Sequence, residues 1–113
     1  MKVIIAGSRT VTRFDDVLDA VFKSGFVIDE VVSGGAAGAD KFGEDWAAVN
    51  STPIKRFYPD WSQYGRSAGP RRNRQMAEYA DALIAVWDGK SRGTQNMIEE
   101  MKALGKPFWI EMI

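Results

Sequence analysis

The chain contains no cysteine and no histidine. The first absence excludes disulfides, a thiolate nucleophile and a thiolate metal site. The second removes the commonest general base and the commonest metal ligand. Charge of one sign is also missing, because 15 basic and 15 acidic residues balance. A general attraction to nucleic acid or to an anionic membrane is therefore not indicated. No apolar run approaches the roughly 20 residues of a membrane span. The opening run Val3-Ile4-Ile5-Ala6 is too short for a secretory signal, so a cytoplasmic protein is the expectation. Neither Gly-x-x-x-x-Gly-Lys-Ser/Thr nor Gly-x-Gly-x-x-Gly occurs, so any phosphate cradle is of another type.

What is present suits one soluble domain over residues 1–113, with 45% hydrophobic and 27% charged residues. Apolar runs at 2–6, 27–33, 53–58, 82–87 and 108–113 read as strands. Between them lie helical patterns. Phe14, Val17, Leu18, Val21 and Phe22 recur at helical spacing and mark an inner face, ended by Ser24-Gly25. A second helix spans about Gly38 to Val49, with Phe42, Gly43, Trp46 and Ala47 inward. A third covers 73–80, with Met76, Tyr79 and Ala80 inward, and a fourth covers 94–104, with Ile98, Met101 and Leu104 inward. The polar stretch from Pro59 to Arg72 reads as a long connection. This alternation predicts an α/β fold: a single Rossmann-like three-layer domain with a mostly parallel five-stranded sheet. No repeat, linker or low-complexity segment interrupts it.

The glycine-rich turns carry the functional signal. Ser33-Gly34-Gly35-Ala36-Ala37-Gly38-Ala39-Asp40 joins a strand to a helix. Glycines let the backbone approach a ligand, and a helix N-terminus favours an anion. Asp40 can cap the helix or accept a hydrogen bond from a ribose hydroxyl. Gly7-Ser8-Arg9 and Asp88-Gly89-Lys90-Ser91-Arg92-Gly93-Thr94 follow two other strands, with Thr94 as cap or phosphate donor. Three such turns at three strand ends predict one site for a phosphate-bearing small molecule. The 60–73 stretch places Arg66, Arg71 and Arg72 beside Trp61 and Tyr64, with Arg74 next in the chain and no acid between Asp60 and Glu78. Such a patch can stack a base and clamp a phosphate, or contact a single strand. One short patch is a poor footprint for a polynucleotide, so the small ligand is the expectation and nucleic acid is not.

These segments resemble the SLOG superfamily, in the branch named for YspA and the YpsA-related proteins. The matching pieces are Ile5–Arg9, Val32–Asp40, Trp46-Ala47, Asp60–Gly65, Ala68–Asn73 and Asp88–Thr94, in the family's order along nearly the whole chain. The resemblance implies a Rossmann-like domain that senses or processes nucleotides or nucleotide-derived ligands, ADP-ribose-like molecules among them, often in bacterial or phage conflict; a standalone module that captures or sequesters such a ligand, without a cofactor or metal, is the expectation. On this reading Gly7, Ser8, Gly34, Gly35 and Thr94 contact phosphate, Arg9 and Arg72 neutralise it, and Asp40 and Trp61 hold ribose and base. Ser33, Ala36, Gly38, Asn73, Asp88, Ser91 and Gly93 complete the expected site.

The same superfamily holds phosphoribohydrolases with a motif resembling Pro-Gly-Gly-x-Gly-Thr-x-x-Glu. Aligning Gly93-Thr94 with that Gly-Thr puts Met97 where their catalytic Glu stands, and Arg72-Asn73 replaces their Arg-Lys pair. A thioether cannot assist attack at a sugar carbon. A binding protein is therefore favoured over a nucleotide N-glycosidase. Trp87 and Trp109, with uncovered sheet edges, predict a homo-oligomer, a dimer or tetramer.

Overall fold

The computed structural model describes residues 1–113, in the order β1 (Lys2–Gly7), α1 (Phe14–Ser24), β2 (Glu30–Ser33), α2 (Ala39–Val49), β3 (Ile54–Arg56), α3 (Trp61–Tyr64), a 3₁₀ turn (Gly65–Ser67), α4 (Ala68–Tyr79), β4 (Ala82–Trp87), α5 (Arg92–Ala103) and β5 (Phe108–Met112). The five strands lie in the order β3-β2-β1-β4-β5. Every neighbouring pair is parallel, so the sheet is wholly rather than mostly parallel.

Period-two alternation divides the central strands between two cores. Val3, Ile5, Ile84 and Val86 face α1 and α2, together with Val17, Ala20 and Ala47. Ile4, Ala6, Leu83 and Ala85 face α4 and α5, together with Met76, Ala77, Met97, Ile98 and Met101. Covering both faces is what an all-parallel sheet needs, and it explains why β1 and β4 read as unbroken apolar runs. The chain winds from β1 out to β3, then crosses back to β4. The strand order therefore reverses between β1 and β4, and a crevice opens at their carboxyl ends.

Several local expectations change. α1 is rotated from the predicted stripe. Val17 and Ala20 are buried while Leu18 and Phe22 are exposed, Phe22 by 86%. The small Ala20 lets the helix sit close to the sheet, which turns the larger side chains outward. Leu104, expected inward, is likewise exposed at the C-cap of α5. β2 begins only at Glu30 and β3 is three residues long.

The largest correction concerns Pro59–Arg72, which is mostly helical. Asp60 caps α3 by accepting from the Gln63 amide at 3.1 Å. Pro70 lies in the first turn of α4, where its missing N–H leaves no intrahelical bond unmade. At the other end of α4, Lys106 Nζ donates to the carbonyls of Ala77, Glu78 and Ala80, at 2.8, 3.0 and 2.8 Å. No helix is long and apolar enough to cross a membrane.

Candidate functional site

A cavity of about 370 Å³ lies at the switch point. The end of β1 and the turn after it supply Gly7, Arg9 and the unforeseen Thr10. The β2–α2 loop supplies Gly34, Ala36 and Asp40. From α4 come Arg72 and Asn73, and the β4–α5 junction supplies Asp88, Ser91, Gly93 and Thr94. Three turns spread along residues 7–94 are thus brought to one crevice. Its floor is apolar, formed by Ala6, Met76 and Met97. Met97 is thus buried beneath the site. Glu99 is exposed and Glu100 half-buried, and neither borders the cavity.

Five expected residues do not line it. Ser8 is buried, and its hydroxyl accepts from the Asp88 amide at 3.0 Å, tying the end of β1 to the β4–α5 loop. Ser33 donates to Glu44 at 2.7 Å and accepts from the Gly35 amide at 3.1 Å. Glu44 in turn receives two bonds from Arg56, at 3.0 and 2.8 Å, so a polar brace stands behind the loop. Gly35 faces away, against the ring of Tyr58. Gly38 packs onto the chain after β1, and a Cβ there would lie 2.4 Å from the Ser8 carbonyl oxygen. Trp61 is exposed, with only its ring edge approaching Gly69.

Arg72 is the hinge of the site. Its Nη1 donates to the Gly34 carbonyl at 2.7 Å and to the Phe57 carbonyl at 3.4 Å, and its Nε donates to Asn73 Oδ1 at 3.1 Å. One guanidinium therefore fastens α4 to the ends of β2 and β3. The second amine, Nη2, has no partner in the chain. Asn73 extends the link by donating to the Gly93 carbonyl at 3.1 Å and to Asn96 at 2.9 Å. The other arginines diverge. Arg71 stacks on Tyr64, Arg74 pairs with Glu78 at 3.3 Å, and Arg66 makes no ion pair. They do not form a common clamp.

Two carboxylates face the crevice in opposite surroundings. Asp40 is buried and accepts from the Ala36 amide at 3.2 Å. Burial pushes its carboxyl above the ordinary value, against the pull of that amide and of Arg72. Burial also pushes the Arg72 guanidinium down from its ordinary value, partly offset by Asp40. Asp88 accepts from the amides of Lys90 and Ser91, at 2.8 and 2.9 Å, and from the Thr10 hydroxyl at 3.2 Å. Those donors hold it down at about 2. Ser91 caps α5 by accepting from the Thr94 amide and hydroxyl, at 3.4 and 3.0 Å. The amides of Asp40 and Lys41 at the start of α2, and of Arg92 and Gly93 at the start of α5, have no carbonyl partner.

Fold and crevice together define a small doubly wound α/β domain with a polar crevice bordered by two helix N-termini. The chain belongs to the YAcAr family, described as the YspA, cpYpsA-related SLOG family, whose model matches residues 1–64. That match runs from β1 through α3 and includes the turns after β1 and β2. The chain is also similar to the Gene 61 protein of Mycobacterium phage D29. The two are 34% identical over 117 residues, spanning 94% of this chain and 92% of that protein. No solved structure matches. Family membership points to a nucleotide-related role.

Proposed function

We propose that the crevice binds a nucleotide-derived ligand of the ADP-ribose type, and that the protein senses or sequesters it without turning it over. The observation that carries this reading is the convergence of two helix N-termini and the cations of Arg9 and Arg72 on one cavity whose walls also present Asp40 and Asp88. Helix ends and guanidinium groups suit phosphate oxygens. Carboxylates suit the hydroxyls of a sugar. The anion sits by Gly34 and Ala36, between Arg9 and Arg72. The sugar lies toward Asp88, Ser91 and Thr94. A role in phage–host conflict is consistent with the phage relative. Calorimetry with ADP-ribose is the test. Binding that Arg9→Ala weakens about tenfold is the expected result, and no binding by the wild type overturns it.

A hydrolytic reading has one observation in its favour, the opposite displacement of the Asp40 and Asp88 carboxyls. Such a split suits an acid and an anion acting on one glycosidic bond. Met97 on the floor argues against it. Incubation with nucleoside monophosphates is expected to release no free base. Multiple turnover that Asp40→Asn or Asp88→Asn abolishes would establish the enzyme. As to assembly, Trp109, Met112 and Ile113 are exposed at the β5 edge. We propose that a second copy covers them. Light scattering that gives the monomer mass at micromolar concentration would refute this.

A further inference from the structure

Beside the crevice lies a second cavity of about 220 Å³, bordered by Tyr58, Asp60, Gln63, Tyr64, Arg71 and Gln75. Arg72 lines both cavities. Tyr58 lies against Gly35, at the back of the loop whose front faces the crevice. Across the groove, the Arg71 guanidinium stands 4.4 Å from the centre of the Tyr64 ring, and its Nε is held by Ser67 Oγ at 3.1 Å. The groove therefore has two exposed aromatic side chains and a flat cation already stacked on one of them. The side chains of Gln63, Gln75 and Asp60 offer both donors and acceptors at its edge.

We propose that this groove seats the nucleobase of the ligand whose phosphate lies in the crevice, with Arg72 Nη2 at the passage between them. The inference rests on the nucleotide reading of the crevice and adds where the base goes. Stacking on tyrosine or a guanidinium plane accepts any base, because every base presents a π-face. The groove's amide and carboxylate edge adds hydrogen bonds to the base, out of reach of a sugar phosphate held in the crevice. Trp61, which borders neither cavity, takes no part.

Calorimetry with ADP and with ribose 5-phosphate tests the division. Tyr64→Ala and Arg71→Ala are expected to weaken ADP about tenfold or more while leaving ribose 5-phosphate within about twofold. Tyr64→Phe keeps the ring and is expected to keep ADP affinity. Unchanged ADP affinity in Tyr64→Ala overturns the groove and leaves the crevice reading standing. Equal loss of both probes also overturns it, since the tyrosine would then only brace the fold. If Arg9→Glu disturbs neither probe while Tyr64→Ala loses ADP, the crevice reading falls and the groove remains. Failure of both probes to bind overturns both. An oligonucleotide whose binding falls steeply with salt and depends on Tyr64, where ADP does not, assigns the groove to single strands instead.

Discussion

The junctions β2–α2 and β4–α5 have the same plan, a strand, a glycine-bearing turn and a helix pointing its N-terminus at the crevice, yet they solve the helix start in opposite ways. α5 is capped by its own Ser91, and Asp88 gathers the turn's amides. α2 has no side-chain cap at Gly38, and its acid, Asp40, is folded inward. The β4–α5 turn is thus largely satisfied by itself, whereas the β2–α2 loop depends on neighbours: the Ser8 carbonyl, Arg72 and the Glu44 brace. The loop that borrows its support is the one where the proposed anion rests.

The sharpest break in the comparison comes at Gly38. Its φ of 77° is one that L residues rarely adopt, and a Cβ would lie 2.4 Å from Ser8 O and 2.7 Å from Arg9 Cα. Both neighbours are backbone and cannot rotate away. Gly38→Val is expected to destabilise the domain by about 3 kcal/mol or more, from conformational strain and overpacking together. Urea unfolding would read this as a lower midpoint at unchanged slope, and a midpoint like wild type would remove the proposed contact between the loop and β1.

Arg72→Lys comes next. Lysine keeps the charge but cannot reach Gly34, Phe57 and Asn73 from one planar group. Loss of these half-buried bonds is expected to cost about 1–2 kcal/mol of stability. Nucleotide affinity is expected to fall about tenfold or more. Stability lost with affinity intact would make Arg72 a fastener only.

Much of this is legible in the sequence. The strand–helix alternation and the glycine turns at the ends of β1, β2 and β4 follow from apolar runs and turn chemistry, both local properties. The segment from Pro59 to Arg72 reads as a loop because Gly65, Gly69 and Pro70 are poor helix formers, and their placement at a helix end and in a first turn depends on tertiary context. Which expected residues line the crevice is set by tertiary packing in the same way. Ser8 and Ser33 carry the right chemistry, but their hydroxyls are turned to Asp88 and Glu44 by packing that no local pattern encodes. Thr10 could have been found only by pairing it with Asp88, 78 residues away.

The two carboxylates give the comparison a pH axis. Asp88 titrates lower in the fold than its ordinary 3.8, so its stabilising contribution is present above that value and fades as pH falls toward about 2. Asp40 titrates higher in the fold, so its contribution is full below the ordinary value and is lost as pH rises through its folded pKa. Asp88→Asn is expected to destabilise at neutral pH, with the difference from wild type shrinking below about pH 4. Asp40→Asn mimics the protonated acid and is expected to match or exceed wild-type stability at neutral pH, with the two converging in acid. Thermal melts from pH 2 to 7 would show the two curves diverging from wild type in opposite senses, and curves of the same sign would cancel the contrast.

The smallest expected effect is at Gly93, the counterpart of Gly38 on the self-satisfied side. It lies in the first turn of α5 with an ordinary helical backbone, and nothing stands within 4 Å of an added Cβ. Gly93→Ala is expected to stabilise the protein by about 0.5–1 kcal/mol, because alanine restricts the unfolded chain more than glycine does. The same substitution also reports on the ligand. If the anion rests on the β2–α2 side, between Arg9 and Arg72, the added methyl leaves nucleotide affinity within about twofold. If the phosphate instead packs against the free amides of Arg92 and Gly93, the methyl crowds it and affinity falls while stability still rises. A tenfold loss in calorimetry, on a protein that melts higher than wild type, would transfer the phosphate from the borrowing loop to the self-capped one.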